Sequence, residues 1–189
     1  MTVMGTGALG LPYGRELTRA DLDALPDDGH RYELLDGALI VSPSPRHIHQ
    51  RACAQLFRRL DRVVPPDLEL LFAPFDVVLA TDTVIQPDLL VARREDFTER
   101  DLPVAPILAV EVLSRSTRSI DLLLKKERLE RAGCPHYWVV DPDIPSITAW
   151  TLTAGRYGAP VRVLGADLFE FSGPFELSVC PNELGDESP

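Results

Sequence analysis

An α/β fold with a mixed β-sheet flanked by helices is what this 189-residue sequence predicts, on three observations. Helical and strand-type apolar periodicities alternate along the chain. An Asp36-Gly37 pair, the strongest short hairpin signal, joins two apolar runs near the start. Prolines fall between the periodic segments rather than inside them. An apolar share of 45% beside 25% charged residues suits a globular domain with a real core.

Thr18 followed by Asp21 resembles a helix N-cap with a short-carboxylate capping box, opening a short helix that stops before Pro26 and Gly29. Arg31 to Leu35 and Ala38 to Val41 form the hairpin. From Ile48 on, Ala52, Leu56, Leu60 and Val63 recur at helical spacing with Arg51, Gln55, Arg58 and Arg62 on another face, until Pro65-Pro66 ends the helix. Leu68 to Phe72, Phe75 to Ala80, Asp88 to Ala92 and Ile107 to Leu113 read as strands, the last two as nearly continuous apolar runs. A helix over about Thr117 to Ala132 is stopped by Gly133 and Pro135; strands His136 to Val140 and Ser146 to Leu152 follow. With no internal repeat or low-complexity linker, residues 18–180 read as one domain, and 1–17 and 181–189 as flexible terminal segments.

Nineteen basic against 29 acidic residues give a net charge of −10, which argues against a general nucleic-acid binder. The basic residues are not spread evenly: Arg46, Arg51, Arg58, Arg59 and Arg62 cluster in one segment, and Arg115, Arg118, Lys125, Lys126, Arg128 and Arg131 in another. Cys53, Cys134 and Cys180 are widely spaced and odd in number, so they suggest buried thiols rather than a disulfide framework or a thiolate zinc site. No apolar run approaches the roughly 18 residues of a membrane span, and residues 1–17 lack the pattern of a signal peptide. A cytoplasmic location is expected.

An ionised carboxylate at the end of a buried strand needs a partner, because burying it alone costs several kcal/mol. Asp88 opens one apolar strand and Glu111 interrupts another. If these strands are neighbours, the two acids face one cavity and share a hard divalent cation, Mg²⁺ or Mn²⁺. The competing reading is a strand-edge Asp and an exposed Glu paired with an Arg. Lys125, on the helix after the Glu111 strand, can bring an ammonium to the same place, or can pair with Asp121 one turn back on a solvated face.

Taken in order, Arg31-Tyr32-Glu33-Leu34-Leu35-Asp36-Gly37, Ser42-Pro43-Ser44-Pro45 with His49-Gln50, Pro87-Asp88, Glu111-Val112-Leu113-Ser114, Asp121 with Lys125, Ala132-Gly133, and Tyr137-Trp138-Val139-Val140-Asp141-Pro142 resemble the Uma-two family. That family is placed in the PD-(D/E)xK restriction-endonuclease-like superfamily. The resemblance implies a restriction-endonuclease-like core with an N-terminal helix and hairpin. It implies Asp88, Glu111 and Lys125 as catalytic residues, the two acids being metal ligands. The Val112 backbone carbonyl is a further candidate ligand, and Glu33 matches the family's early acid. The usual superfamily lysine stands two residues after the second acid, where this chain has Leu113; in the family it has moved to the following helix, matching Lys125. His49 and Gln50 are candidate accessory residues.

Three functions follow. The first is a Mg²⁺- or Mn²⁺-dependent phosphodiesterase acting on DNA or RNA, with Arg51, Arg58, Arg115 and Arg118 holding the nucleic acid and a homodimer as the expected assembly. The second is a non-catalytic dimeric or nucleic-acid-associated protein on the same fold. The third, a metal-free acid/base hydrolase, ranks last, because Lys125 beside the acid pair favours its ionised form.

Overall fold

The computed structural model describes residues 11, 12, 14–114 and 120–185, with Asp121 by its backbone alone. The order is α1 (Arg19–Asp23), β1 (Arg31–Leu35), β2 (Ala38–Ser42), α2 (His47–Leu60), β3 (Leu68–Phe72), β4 (Asp76–Ala80), β5 (Thr83–Ile85), β6 (Leu89–Arg93), β7 (Asp101–Leu102) and β8 (Leu108–Val112). A π-helical stretch (Ile120–Lys125) then runs into α3 (Lys126–Ala132), followed by β9 (His136–Asp141), β10 (Ser146–Thr153), β11 (Arg156–Tyr157), β12 (Val161–Leu164), β13 (Phe169–Ser172), β14 (Glu176–Val179) and α4 (Asn182–Gly185).

The strands make two mixed sheets and a ribbon. One sheet runs β2-β1-β5-β4-β7; the other runs β11-β10-β9-β8-β6-β3, with β12 also paired to β10; β13 pairs with β14. Each large sheet has one parallel pairing, β4 with β7 and β8 with β9. The switch between the sheets lies at Gln86-Pro87-Asp88, between the end of β5 and the start of β6. Pro87 has no N–H to donate to a ladder, so pairing stops there and resumes in the other sheet. The Asp36-Gly37 turn takes φ of +50° and +72°, the doubly left-handed backbone of a tight hairpin. A Cβ on Gly37 would lie 2.5 Å from the Glu16 Cβ, so side chains are excluded there twice over.

Side-chain alternation divides the core into two layers. Leu108, Val110 and Val112 of β8 pack with Ala52, Leu56 and Leu60 of α2. Ala109 and Leu113, on the other face, pack with Leu35 of β1, Leu129 of α3 and Tyr137 of β9. Glu111 belongs to this second face, and Glu33 shares the face of Leu35. The two glutamates therefore meet the same inter-sheet layer from opposite sheets.

The architecture departs from expectation in three places. The short β5, β7 and β11 to β14, which carry little periodic signal, add to the strands read from the sequence. The first part of the helix expected over about Thr117 to Ala132 is π-helical where it is described, from Ile120 to Lys125. Packing also runs past both terminal bounds: Leu17 is buried against Leu34 and Val84, and Leu184 of α4 joins the α2 layer.

Candidate active site

Glu33, Asp88, Glu111 and Lys125 line one cavity of about 950 Å³, together with Arg31 and His49. All four of the first group are at most 5% exposed. Lys125 Nζ lies 2.8 Å from Glu33 Oε1 and 2.9 Å from Glu111 Oε1. The readings of Glu111 as an exposed strand residue and of Lys125 as a surface partner of Asp121 are both incompatible with this burial. Lys126 turns away, its Nζ 5.5 Å from the centre of the Trp150 ring. One residue along a helix rotates the side chain by roughly 100°, enough to separate the two lysines. Arg128 anchors α3 to the hairpin by pairing with Asp36 at the β1–β2 turn.

Asp88 is held by three hydrogen-bond partners from three different elements. Arg31 Nη1 donates to its Oδ1 at 3.0 Å, and His49 Nε2 and the Val112 N–H converge on its Oδ2 at 3.1 and 2.8 Å. Burial alone would raise its pKa; the His49 hydrogen bond, the Arg31 charge and the Val112 amide outweigh that and hold the carboxyl well below its ordinary range. Glu33 behaves alike: burial opposes ionisation, but the charges of Lys125 and Arg31 and the Gln86 N–H, donated at 2.7 Å, keep its pKa low. Arg31 also donates to the Gln86 carbonyl. Cys53, one turn after His49 on α2, lines the same cavity, and burial followed by the nearby Asp88 and Glu111 charges pushes its thiol well up.

The remaining candidates divide. Arg58 and Gln50 are exposed and line the cavity. Arg51 is half-buried and absent from the lining, so α2 directs it elsewhere. Arg115 and Arg118 lie outside the described residues. Arg31, Gln86 and Cys53 join the site without having been expected there. The first had a signal, since Arg31 and Glu33 are two apart on one strand and so share a face; the third had one as well, since His49 and Cys53 are four apart on a helix. Gln86 acts through its backbone, which side-chain chemistry does not advertise. At the rim, Phe72 is 61% exposed and meets Phe57 edge-on with ring centres 5.4 Å apart.

The donors suit a hard divalent ion. Among the described residues, three buried carboxylates stand against two basic side chains, Arg31 and Lys125, in a cavity open to small solutes. Excess negative charge from oxygen donors is what Mg²⁺ and Mn²⁺ require.

The same architecture is found in the crystal structure of a putative nuclease belonging to DUF820 from Anabaena variabilis ATCC 29413, at a TM-score of 0.74 and 17% identity, covering 89% of this chain and 97% of that one. Mixed sheets flanked by helices make this an α/β protein with a restriction-endonuclease-like fold. Residues 19–177 match the Uma2 family, described as "Putative restriction endonuclease", and the chain belongs to that family. No curated protein matches it. Among the described residues, no helix is long and apolar enough to cross a membrane.

Proposed function

We propose that the protein is a metal-dependent nuclease hydrolysing phosphodiester bonds of nucleic acid, DNA foremost, as a cytoplasmic homodimer. The observation that carries this reading is the meeting of Asp88, Glu111, Glu33 and Lys125 in one accessible cavity, where solvated surface residues would have no reason to be buried. Asp88 and Glu111 would hold Mg²⁺ or Mn²⁺, with Glu33 and the Val112 carbonyl as further oxygen donors. The N–H and C=O of a strand residue point to the same side, so the carbonyl faces the side on which Val112 donates to Asp88. When bound, such an ion neutralises phosphate charge and lowers the pKa of water.

The chain's own groups complete the chemistry. The Lys125 ammonium, fixed between two carboxylates, is a preorganised donor for charge developing on a scissile phosphate. His49 orients Asp88 through its hydrogen bond. Arg58 supplies a cation for the phosphate backbone at the cavity mouth, and Phe72 a face for a base to stack on. Three cysteines without a disulfide suit a reducing compartment.

Calorimetric titration of Mn²⁺ into wild type and Asp88→Asn, followed by a cleavage screen on linear, nicked and single-stranded DNA, tests this reading. Ion-dependent cleavage lost in Asp88→Asn supports it. Tight Mn²⁺ binding with no cleavage of any substrate would favour an accessory protein on the same fold.

A further inference from the structure

The cavity contains a second set of donors of a different chemical kind. On α2, His49 and Cys53 are one turn apart and both line the cavity. His49 Nδ1 lies 3.7 Å from Cys53 Sγ, while His49 Nε2 lies 3.1 Å from Asp88 Oδ2. One ligand atom from each of the three lies within 4.8 Å of the other two. A tetrahedral ion with bonds of about 2.0–2.3 Å spaces its ligands by roughly 3.3–3.8 Å. His49 meets Cys53 and Asp88 through different ring nitrogens, so an ion takes one of the two and the donor on the other side reaches it by side-chain rotation. The helix holds two of the donors in register before any ion arrives, which lowers the ordering cost of binding.

Imidazole, thiolate and carboxylate together select borderline-soft metals, whereas Mg²⁺ takes oxygen donors. Cys53 packs against the apolar core and also lines the cavity, so its thiol lies within reach of the His49 ring and of a solute in the cavity. Cys134 shows the contrast: it is fully buried and donates to the His136 carbonyl.

We infer that His49, Cys53 and Asp88 form a binding site for a divalent transition metal of the Zn²⁺ or Co²⁺ kind, with its remaining coordination position open to the cavity. On binding, Cys53 gives its thiol proton to solvent and becomes a thiolate ligand; His49 contributes one ring nitrogen and Asp88 a carboxylate oxygen. Binding stands on these three residues alone. Its consequence rests on the nuclease reading: Asp88 is shared, so a soft ion withdraws it from Glu111 and competes with Mg²⁺ or Mn²⁺.

The test is a Co²⁺ titration of the full chain under a non-thiol reductant, followed by absorption spectroscopy. Wild type is expected to bind with a thiolate-to-Co²⁺ charge-transfer band and intense tetrahedral ligand-field bands, both bleached by equimolar Zn²⁺. Cys53→Ser should lose the charge-transfer band and bind Co²⁺ at least about tenfold more weakly, as should His49→Gln. Cys180→Ser should keep both. Circular dichroism confirms that each variant is folded, and the two ligand variants keep the test decisive if one is not. Glu111→Gln should retain the band, so a failure of the hard-ion pair leaves this assignment intact and the reverse is also distinguishable. No charge-transfer band in wild type, or an undiminished one in Cys53→Ser, overturns the site.

Discussion

Glu33 and Glu111 stand on strands of different sheets yet share one ammonium, with Lys125 Nζ within 2.9 Å of a carboxylate oxygen of each. The arrangement ties β1 to β8 through a residue from neither sheet. Its energetics are asymmetric: a buried ion pair adds little over an apolar substitute, but removing one partner strands the others.

Lys125→Ala should therefore cost about 3–5 kcal/mol of stability in urea unfolding, because two carboxylates lose their counter-charge in a buried place. Lys126→Ala removes only a contact with Trp150 and should cost about 0.5–1 kcal/mol. On the folded fraction, Lys125→Ala should also cut single-turnover cleavage about a hundredfold, the scale for one preorganised electrostatic donor. Equal effects of the two substitutions would refute the placement of Lys125.

Asp88→Asn and Glu111→Gln should each weaken Mn²⁺ binding at least about tenfold by calorimetry, since a small hard ion retains few protein ligands. Folding should survive in Glu111→Gln, where Lys125 keeps Glu33 as a partner. Unchanged affinity in both variants would remove the site.

Phe72→Ala should weaken binding of single-stranded DNA by about 1–3 kcal/mol if a base stacks on the exposed ring. Arg58→Glu should weaken it further and flatten the dependence on salt. Arg51→Glu, away from the cavity, should do neither. Fluorescence anisotropy at several salt concentrations separates the three.

His136 gives a pH dependence independent of the site. Burial lowers its pKa, while its ring packs edge-on against Phe171 at 4.8 Å. A histidine whose folded pKa lies below the unfolded value, about 6.5, binds fewer protons when folded. Its contribution is complete above that value and is lost as pH falls through the window below it. The stability of His136→Gln relative to wild type should therefore improve on acidification from pH 7 to pH 5, read by chemical denaturation at fixed salt; a parallel pair of curves would refute the burial effect.

Local signals were legible where they were strong. The Asp36-Gly37 turn, the α2 periodicity and the long apolar runs of β6 and β8 all read correctly, because each is enforced by short-range geometry. So did the burial of Asp88 and Glu111, since an acid inside an apolar run is carried into the interior with its neighbours. Leu113 shows the limit. It shares the face of Glu111 on the strand, the place of the superfamily lysine, yet it is 3% exposed and packs in the second core layer. That Lys125 on the following element reaches these acids was one of two readings its spacing allowed, the other being a surface pair with Asp121. The inward turn of Arg31 depends on contacts with residues more than fifty positions away, and no local pattern encodes those.

Two of the bonds that hold the acids come from the backbone, the Gln86 amide on Glu33 and the Val112 amide on Asp88. Amide proton and nitrogen resonances respond strongly to the charge of the oxygen they face. Gln86 and Val112 are thus built-in gauges, one for each acid, and isotope labelling alone would let nuclear magnetic resonance follow the cavity's state. Ion capture at Asp88 should move the Val112 cross-peak in a concentration-dependent way. Protonation of Glu33 should move that of Gln86, and neither measurement needs a substrate to be known.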